Sequence, residues 1–200
     1  MLLINDLTIQ LNNKNLFHSF SCKIDLGLYR VKGDNGVGKT TFLLALVGLM
    51  KKYTGNITLN NVNNQFLVHK NGFFVPDNIV FYEYLTGKDI INLIKKYKKN
   101  NKTNENEMIH YLNLDKYMNV KYKNMSLGTR KKIILLSAFI SEVDVYIFDE
   151  PVNGIDKNSV DFIAKYLLEM SKKKIIIFTS HDQYFLDNLF YQDLNIDWVK

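Results

Sequence analysis

The first third of the chain is a series of short β-prone segments separated by Asn-rich or Gly breaks, a pattern that predicts strands. The segments are residues 2–9, 20–26, 28–31, 57–59, 65–69 and 73–75. Before the last of them, Asn71-Gly72 is the dipeptide most typical of a tight hairpin turn. An apolar run at residues 39–50, followed by Gly55, predicts a helix between the two groups of strands.

The middle of the chain has the periodicity of helices. Thr86, with Asp89 three residues later, resembles a capping box, and apolar residues from Ile90 to Tyr97 form a helical stripe. The polar segment 98–107 predicts a solvated loop, and residues 108–112 restart a helix.

The last third alternates between helical and strand-like patterns. Residues 130–140 and 158–170 predict helices, and the apolar runs at 143–148 and 175–179 predict strands. Apolar runs of this length are typical of strands buried on both faces, as in a parallel sheet covered by helices. The alternation therefore predicts an α/β fold with a mainly parallel sheet.

Composition excludes several classes of protein. The chain has 200 residues, 46% hydrophobic and 23% charged, which is a globular rather than a disordered or fibrous balance. The single cysteine, Cys22, excludes an internal disulfide and fits a reducing compartment. The longest apolar stretches are far shorter than the ~20 residues that span a bilayer, and the N-terminus lacks the pattern of a signal peptide. We therefore expect a soluble cytoplasmic protein.

The net charge of +6 favours acidic partners but does not identify one. The basic residues are scattered in runs at 95–99, 130–132 and 172–174. We expect these runs to lie on solvated helix faces or in the last turns of helices, where cations complement the helix dipole.

One glycine-rich segment matches the phosphate-binding pattern G-x-x-x-x-G-K-[ST], between a β-prone segment and a predicted helix. It reads Gly33-Asp34-Asn35-Gly36-Val37-Gly38-Lys39-Thr40-Thr41. Glycines let the backbone curl so that N–H groups point at phosphate oxygens, and the helix N-terminus adds positive potential. We expect Lys39 to reach the β- and γ-phosphates of a nucleotide and the Thr40 hydroxyl to bind Mg²⁺. Thr41 can donate a further hydrogen bond.

Two other strands end in groups suited to nucleotide hydrolysis. The strand that ends at Phe148 is followed by Asp149 and Glu150, at the end of the strand where ligands bind in open α/β sheets. Asp149 is the candidate for the Mg²⁺ shell and Glu150 for the general base that polarises the attacking water. After the next predicted strand, His181 is placed to bind a γ-phosphate and to align the water with Glu150.

With these three elements in order, the chain resembles the ATP-binding cassette (ABC) ATPases, the nucleotide-binding subunits of ABC transporters. In that family a signature segment, typically Leu-Ser-Gly-Gly-Gln, heads a helix before the Asp-Glu strand. Here the segment from Met125 to Arg130 contains Ser126 and Gly128 and heads a predicted helix. Residues 153–156 resemble the family's D-loop.

The resemblance implies an α/β fold with a P-loop NTPase core and a mainly parallel sheet. It also implies an N-terminal antiparallel β-subdomain and an inserted α-helical subdomain. On this basis residues 1–200 are one ABC ATPase domain, with the core and β-subdomain at about 1–78 and 131–200 and the helical subdomain at about 79–130.

The resemblance also implies ATP and Mg²⁺ as ligands and a head-to-tail dimer, either a homodimer or a heterodimer. In such a dimer Ser126 and Gly128 of one subunit face the γ-phosphate held by the P-loop of the other. A separate transmembrane permease is the implied partner, which would hold the chain peripherally at the cytoplasmic face of the membrane. Residues 79–85, an apolar and aromatic run, are either a docking surface for it or part of the core.

The sequence departs from the family pattern at several positions. Leu127 replaces the first signature glycine, which would weaken or reshape contact across the dimer. Asp77 stands where the family's Q-loop commonly has glutamine, and it can still approach Mg²⁺ or the water. The aromatic residue that often stacks on adenine is expected near Leu11, which is not aromatic, so Phe17 and Tyr29 are the alternatives.

Three other functions compete with a transport ATPase. A non-transport ABC ATPase acting on nucleic acid or ribosomes suits the basic pI, but such relatives usually carry paired cassettes, coiled coils or zinc insertions. A P-loop kinase or GTPase does not explain Ser126 together with Glu150 and His181. A nucleotide-binding subunit with impaired hydrolysis stays open because of Leu127 and Asp77. We expect nucleic acid not to be a partner.

Overall fold

The computed structural model describes residues 1–11, 14–50, 52–63, 71–100, 104–196 and 198. The strands are β1 (Leu2–Leu11), β2 (Lys14–Ile24), β3 (Gly27–Val31), β4 (Tyr53–Leu59), β5 (Val62–Asn63), β6 (Gly72–Val75), β7 (Val145–Phe148), β8 (Ile175–Phe178) and β9 (Gln192–Leu194). The helices are α1 (Lys39–Leu46), α2 (Gly87–Tyr97), α3 (Glu105–Tyr111), α4 (Leu127–Phe139), α5 (Lys157–Ser171) and α6 (Gln183–Asp187), with 3₁₀ turns at Asp115–Tyr117 and Tyr122–Asn124.

The strands form two sheets of different kinds. An antiparallel sheet has the order β2-β1-β4-β5, and a parallel sheet has the order β6-β7-β8-β3-β9. The α/β fold with a mainly parallel sheet and an N-terminal antiparallel part is therefore confirmed.

The strands β7 and β8 of the parallel sheet are buried on both faces, as their apolar sequences predict. Within β7, Val145 and Ile147 belong to the core shared with α1 and the antiparallel sheet. Tyr146 and Phe148 point the other way, into the core shared with α4 and α5. Every residue of β7 and β8 is buried.

Several predicted elements differ in their ends. The helix predicted at 39–50 ends at Leu46, because Gly48 adopts a left-handed conformation with φ of 76° and terminates it. Gly72 does not lie in a hairpin turn: it begins β6 and pairs with Val145 in the parallel sheet. The strand predicted at 65–69 lies outside the described residues. The capping box at Thr86 and Asp89 is confirmed at the start of α2.

The expectation for one of the basic runs, residues 130–132, is wrong. Lys131 and Lys132 lie in the N-terminal half of α4 and are 2% and 6% exposed, so they are neither on a solvated face nor in a last turn. For the run at 95–99 the expectation is confirmed: Lys95 and Lys96 lie in the last turn of α2, where Lys95 also pairs with Glu105 at the start of α3. Among the described residues, no helix combines the length and hydrophobicity that crossing a membrane requires.

Candidate functional site

The parallel sheet brings the three sequence elements to one edge. β8 lies between β3 and β7, and all three strands are parallel, so their carboxyl ends lie side by side. The segment after β3 carries the glycine-rich loop, the segment after β7 carries Asp149 and Glu150, and the segment after β8 carries His181. The pairing of strands therefore assembles residues that are more than a hundred positions apart.

The glycine-rich loop curls tightly before α1. Gly36 has φ of 79°, and a Cβ on it would meet none of the described residues within 4 Å, so conformation rather than space requires glycine there. Gly38 has φ of 115° and is the N-cap of α1, and a Cβ on it would lie 2.6 Å from Leu16 Cδ1. Because the N-cap is a glycine, no side chain caps α1, and its first backbone N–H groups are available to bind a phosphate.

Lys39 reaches back across the loop. Its Nζ donates hydrogen bonds to the carbonyls of Gly33 (2.8 Å) and Asp34 (3.0 Å) and to His181 Nε2 (2.9 Å). Burial lowers the pKa of Lys39, while the carboxylates of Glu150 and Asp149 act in the opposite direction. The ammonium thus lies between the loop and the segment after β8.

Asp149 is buried and fixed by two hydroxyls. Thr40 Oγ1 donates to Asp149 Oδ2 at 2.6 Å, and Thr179 Oγ1 donates to Asp149 Oδ1 at 2.6 Å. Asp149 is 3% exposed. Sequence reasoning did not single out Thr179, although it follows directly on an apolar strand of the same sheet.

Glu150 has an unusual backbone and a partly buried carboxyl group. Its φ is 47°, which a residue other than glycine rarely adopts, and its N–H donates to Thr179 Oγ1 at 2.9 Å. Glu150 Oε2 accepts from the backbone N–H of His181 at 3.2 Å, and Oε1 lies 3.7 Å from His181 Nε2. Burial raises the pKa of Glu150, and the contacts with His181 oppose that effect.

These groups line one cavity of about 290 Å³. Its lining consists of predicted site residues: Asn35, Gly36, Gly38, Lys39, Thr40, Thr41, Asp77, Asp149, Glu150 and His181. The other predicted residues of the loop lie beside the cavity lining. The carbonyls of Gly33 and Asp34 accept hydrogen bonds from Lys39, and Val37 donates its N–H to the Asp34 carbonyl at 3.4 Å.

Asp77 lines this cavity but is held by a lysine. Lys131 Nζ donates to Asp77 Oδ1 at 2.7 Å, and Asn153 Nδ2 lies 3.5 Å from the same oxygen. Lys131 also donates to the backbone carbonyl of Glu150 at 2.8 Å. Sequence reasoning missed Lys131 because a run of three basic residues is usually solvated.

Ser126 and Gly128 lie in a second, separate cavity. Ser126 is the N-cap of α4, and its Oγ accepts from the Thr129 N–H at 3.2 Å. The cavity, of about 340 Å³, is also lined by Lys132, Gly154 and Asp156 among others. Among the described residues, none lines both cavities, so these two predicted residues are not brought to the site that holds Lys39.

Neither alternative for the adenine contact is available for stacking. Phe17 is 1% exposed and packs edge-on against Phe20, Phe42 and Trp198. Tyr29 is 8% exposed within the same core. Both rings are part of the packing between the two sheets, which explains their aromatic character.

Comparison with known proteins identifies relatives that match most of the chain. The family model described as "ABC transporter" matches residues 19–153. The "Uncharacterized ABC transporter ATP-binding protein YybJ" of Bacillus subtilis (strain 168) is 29% identical over 188 residues, which is 90% of this chain and 85% of that protein.

Solved structures share the fold. The structure of an ATP-binding subunit of an ABC transporter has a TM-score of 0.85 at 21% identity, covering 98% of this chain and 86% of that one. The dimeric bacterial ABC transporter cassette MJ0796 has a TM-score of 0.79 at 16% identity, covering 96% of this chain and 94% of that one.

Proposed function

This chain belongs to the ABC transporter family, and we propose that it is the subunit that binds and hydrolyses ATP to power a separate transmembrane permease. The observation that carries the proposal is the convergence of Lys39, Asp149, Glu150 and His181 on one cavity. A structural role alone does not require a lysine, two carboxylates and a histidine at the end of one sheet.

The cavity has the donors that a nucleotide triphosphate and Mg²⁺ need. The backbone N–H groups of residues 33–41 and the Lys39 ammonium would hold the phosphates. Thr40 and Asp149 would hold Mg²⁺, since a hydroxyl and a carboxylate 2.6 Å apart are the oxygen ligands this ion prefers. When bound, Mg²⁺ would neutralise charge on the phosphate oxygens.

Glu150 is placed to act as the general base. It would take a proton from water as the water oxygen forms a bond to the γ-phosphorus and the bond to the ADP oxygen breaks. Its raised pKa makes it a better proton acceptor than an exposed glutamate. His181 donates its backbone N–H to Glu150 Oε2, and it would orient the base and the γ-phosphate.

The second cavity supports a dimer. Ser126 and Gly128 cannot serve the nucleotide in the chain's own P-loop, because they line a different cavity. We propose that they face the γ-phosphate bound by a second subunit, either a copy of this chain or a related one. MJ0796, which has the same fold, is dimeric.

The permease would be contacted by residues 79–130, which we propose as the helical subdomain. In the segment 79–85 the apolar side chains form two sets: Val80, Tyr82 and Tyr84 are exposed, whereas Ile79, Phe81 and Leu85 pack against the core. The exposed set is the candidate docking surface. On this proposal the chain lies at the cytoplasmic face of the membrane and reaches it only through the permease.

The test measures ATP turnover and association in the same variants. Glu150→Gln removes the base and keeps the shape, so turnover should fall by about 10²–10⁴-fold, while ATP-dependent dimerisation, followed by light scattering, persists. Adding Lys39→Ala should abolish that dimerisation because phosphate binding is lost. Turnover at the parent rate in Glu150→Gln would remove Glu150 from its role.

A parent chain that dimerises with ATP but does not turn it over, alone or with its co-purified permease, would identify a subunit with impaired hydrolysis instead. Salt-sensitive binding of RNA or DNA would support the nucleic-acid alternative.

A further inference from the structure

Lys131 places a buried positive charge behind the nucleotide cavity. Its side chain is 1% exposed, and its ammonium bridges the Asp77 carboxylate and the Glu150 carbonyl. A buried ammonium requires such partners because desolvation of an unpaired charge is costly. The lysine is therefore fixed by the two residues it joins, both of which line the cavity.

The backbone of Glu150 is held on both sides. Its N–H donates to Thr179 and its carbonyl accepts from Lys131, and its φ of 47° lies in the left-handed region. Pro151 follows it and disfavours the ordinary helical conformation. A residue other than glycine keeps such a backbone only where its surroundings hold it there.

We infer that Lys131 is a positioning residue for Glu150, and that Asp77 is the counterion of Lys131 rather than a metal ligand. By holding the Glu150 carbonyl, Lys131 keeps the backbone turned so that the carboxylate faces Lys39, Asp149 and His181. The inference rests on the proposed function and adds a residue that acts through Glu150 without touching the nucleotide.

The replacement Lys131→Met tests whether the hydrogen bond from Lys131 to the Glu150 carbonyl positions Glu150. It keeps the length of the side chain and removes the donor, so the Glu150 backbone is free to relax. Because a misplaced reacting group costs on the order of 10²-fold in rate, kcat for ATP should fall by about that factor. KM should stay nearly unchanged, since the glycine-rich loop and Lys39 are intact. Because partial unfolding would also lower apparent kcat without changing KM, kcat is calculated from the folded fraction of each variant, measured by circular dichroism.

Two further variants separate positioning from charge balance. Lys131→Met with Asp77→Asn removes both charges, so a lysine that only neutralises Asp77 predicts recovered turnover, whereas a positioning lysine predicts turnover as slow as in Lys131→Met. Lys131→Gln restores an uncharged N–H donor and should recover part of kcat; it also serves if Lys131→Met does not fold.

A matched control is Lys98→Met. Lys98 is half-buried, and its ammonium also donates to a backbone carbonyl, that of Gly72 at 2.7 Å, at the opposite end of β6. Its loss should leave kcat unchanged. The amide resonance of Glu150 in ¹⁵N-labelled protein gives a readout independent of turnover, and it should shift in Lys131→Met but not in Lys98→Met.

The inference is overturned if folded Lys131→Met turns over ATP at the parent rate, if the double variant regains it, or if the Glu150 resonance does not move. These results differ from failure of the proposed function, in which the parent chain itself neither binds nor hydrolyses ATP.

Discussion

Thr40 and Asp149 are joined by a hydrogen bond of 2.6 Å between Thr40 Oγ1 and Asp149 Oδ2, although 109 positions separate them in the chain. Thr40 lies in the first turn of α1 and Asp149 directly after β7. This bond connects the phosphate loop with the acidic end of β7, at the point where we propose that Mg²⁺ binds.

We predict that Thr40→Ala removes most of the Mg²⁺ dependence of ATP binding, because it deletes one of the two proposed oxygen ligands. The affinity of the parent for ATP, measured by calorimetry, should fall when Mg²⁺ is replaced by a chelator. In Thr40→Ala that difference should shrink by roughly tenfold or more. Thr40→Ser keeps the hydroxyl and is the control; an undiminished Mg²⁺ effect in Thr40→Ala would contradict the assignment.

Gly128 is required by the chain itself as well as by the proposed dimer. A Cβ at this position would lie 2.2 Å from the carbonyl oxygen of Gly154, a backbone atom that cannot rotate away. We predict that Gly128→Ala displaces residues 153–156, lowers the free energy of unfolding by about 1–3 kcal/mol, and weakens ATP-dependent dimerisation.

Urea unfolding of the Gly128→Ala variant measures the first effect, and light scattering in the Glu150→Gln background measures the second. The control is Leu127→Ala in the same helical turn. Leu127 is 52% exposed, so its truncation should change stability by no more than about 0.5 kcal/mol. Equal stability of the two variants would show that Gly154 accommodates a side chain at 128.

The capping box at the start of α2 stabilises the fold at a place remote from the nucleotide cavity, so its removal should affect stability and not catalysis. The Asp89 N–H donates to Thr86 Oγ1 at 3.2 Å, and the Thr86 N–H donates to Asp89 Oδ2 at 2.9 Å. Thr86→Ala should cost about 1 kcal/mol in unfolding free energy, with kcat for ATP unchanged. Thr86→Ser retains the oxygen and should be close to the parent. A large fall in kcat for Thr86→Ala would instead link α2 to catalysis.

Cys22 gives a pH-dependent signal from a single thiol. Burial raises its pKa to about 11 from the ordinary value of 9.0, so the folded chain keeps the thiol proton at pH values where the unfolded chain loses it. This contribution to stability is present below pH 9 and is lost as pH rises through about 11.

Because the thiolate is the reactive form, alkylation of the folded protein by iodoacetamide should stay slow at pH 9 and rise only near pH 11, the value to which burial raises the pKa. Mass spectrometry of proteolytic fragments measures the rate at Cys22, the single cysteine of the chain, and separates it from the alkylation of lysines at high pH. The control is the same chain in urea, which should react with an ordinary thiol profile. A folded chain that matches it would show that Cys22 is not desolvated.

Features set by neighbouring residues were predictable from the sequence. The capping box depends on Thr86 and Asp89 three positions apart, and the curl of the phosphate loop depends on glycines within a few positions of Lys39. The end of α1 was misplaced because the apolar run continues past Gly48, whose left-handed conformation ends the helix.

Features set by distant pairing were not predictable. The burial of Lys131 and Lys132 depends on their hydrogen bonds to Asp77, Glu150 and Asp156. These partners lie beside α4 only once the sheet is assembled. Phe17 and Tyr29 were candidates for stacking on adenine because aromatic character does not distinguish a ligand platform from a core ring. Thr179 was overlooked because a threonine after a strand has no distinctive spacing.

The amino-acid sequence by itself determined the family, the α/β alternation and the groups at the ends of three strands, since each depends on periodicity or on residues close together in the chain. Only the tertiary structure decided that β8 lies between β3 and β7, that Ser126 occupies a cavity apart from Lys39, and that a buried lysine holds the backbone of Glu150. Those relationships depend on strand order and on the pairing of buried charges over long separations, where many arrangements are compatible with the same local pattern.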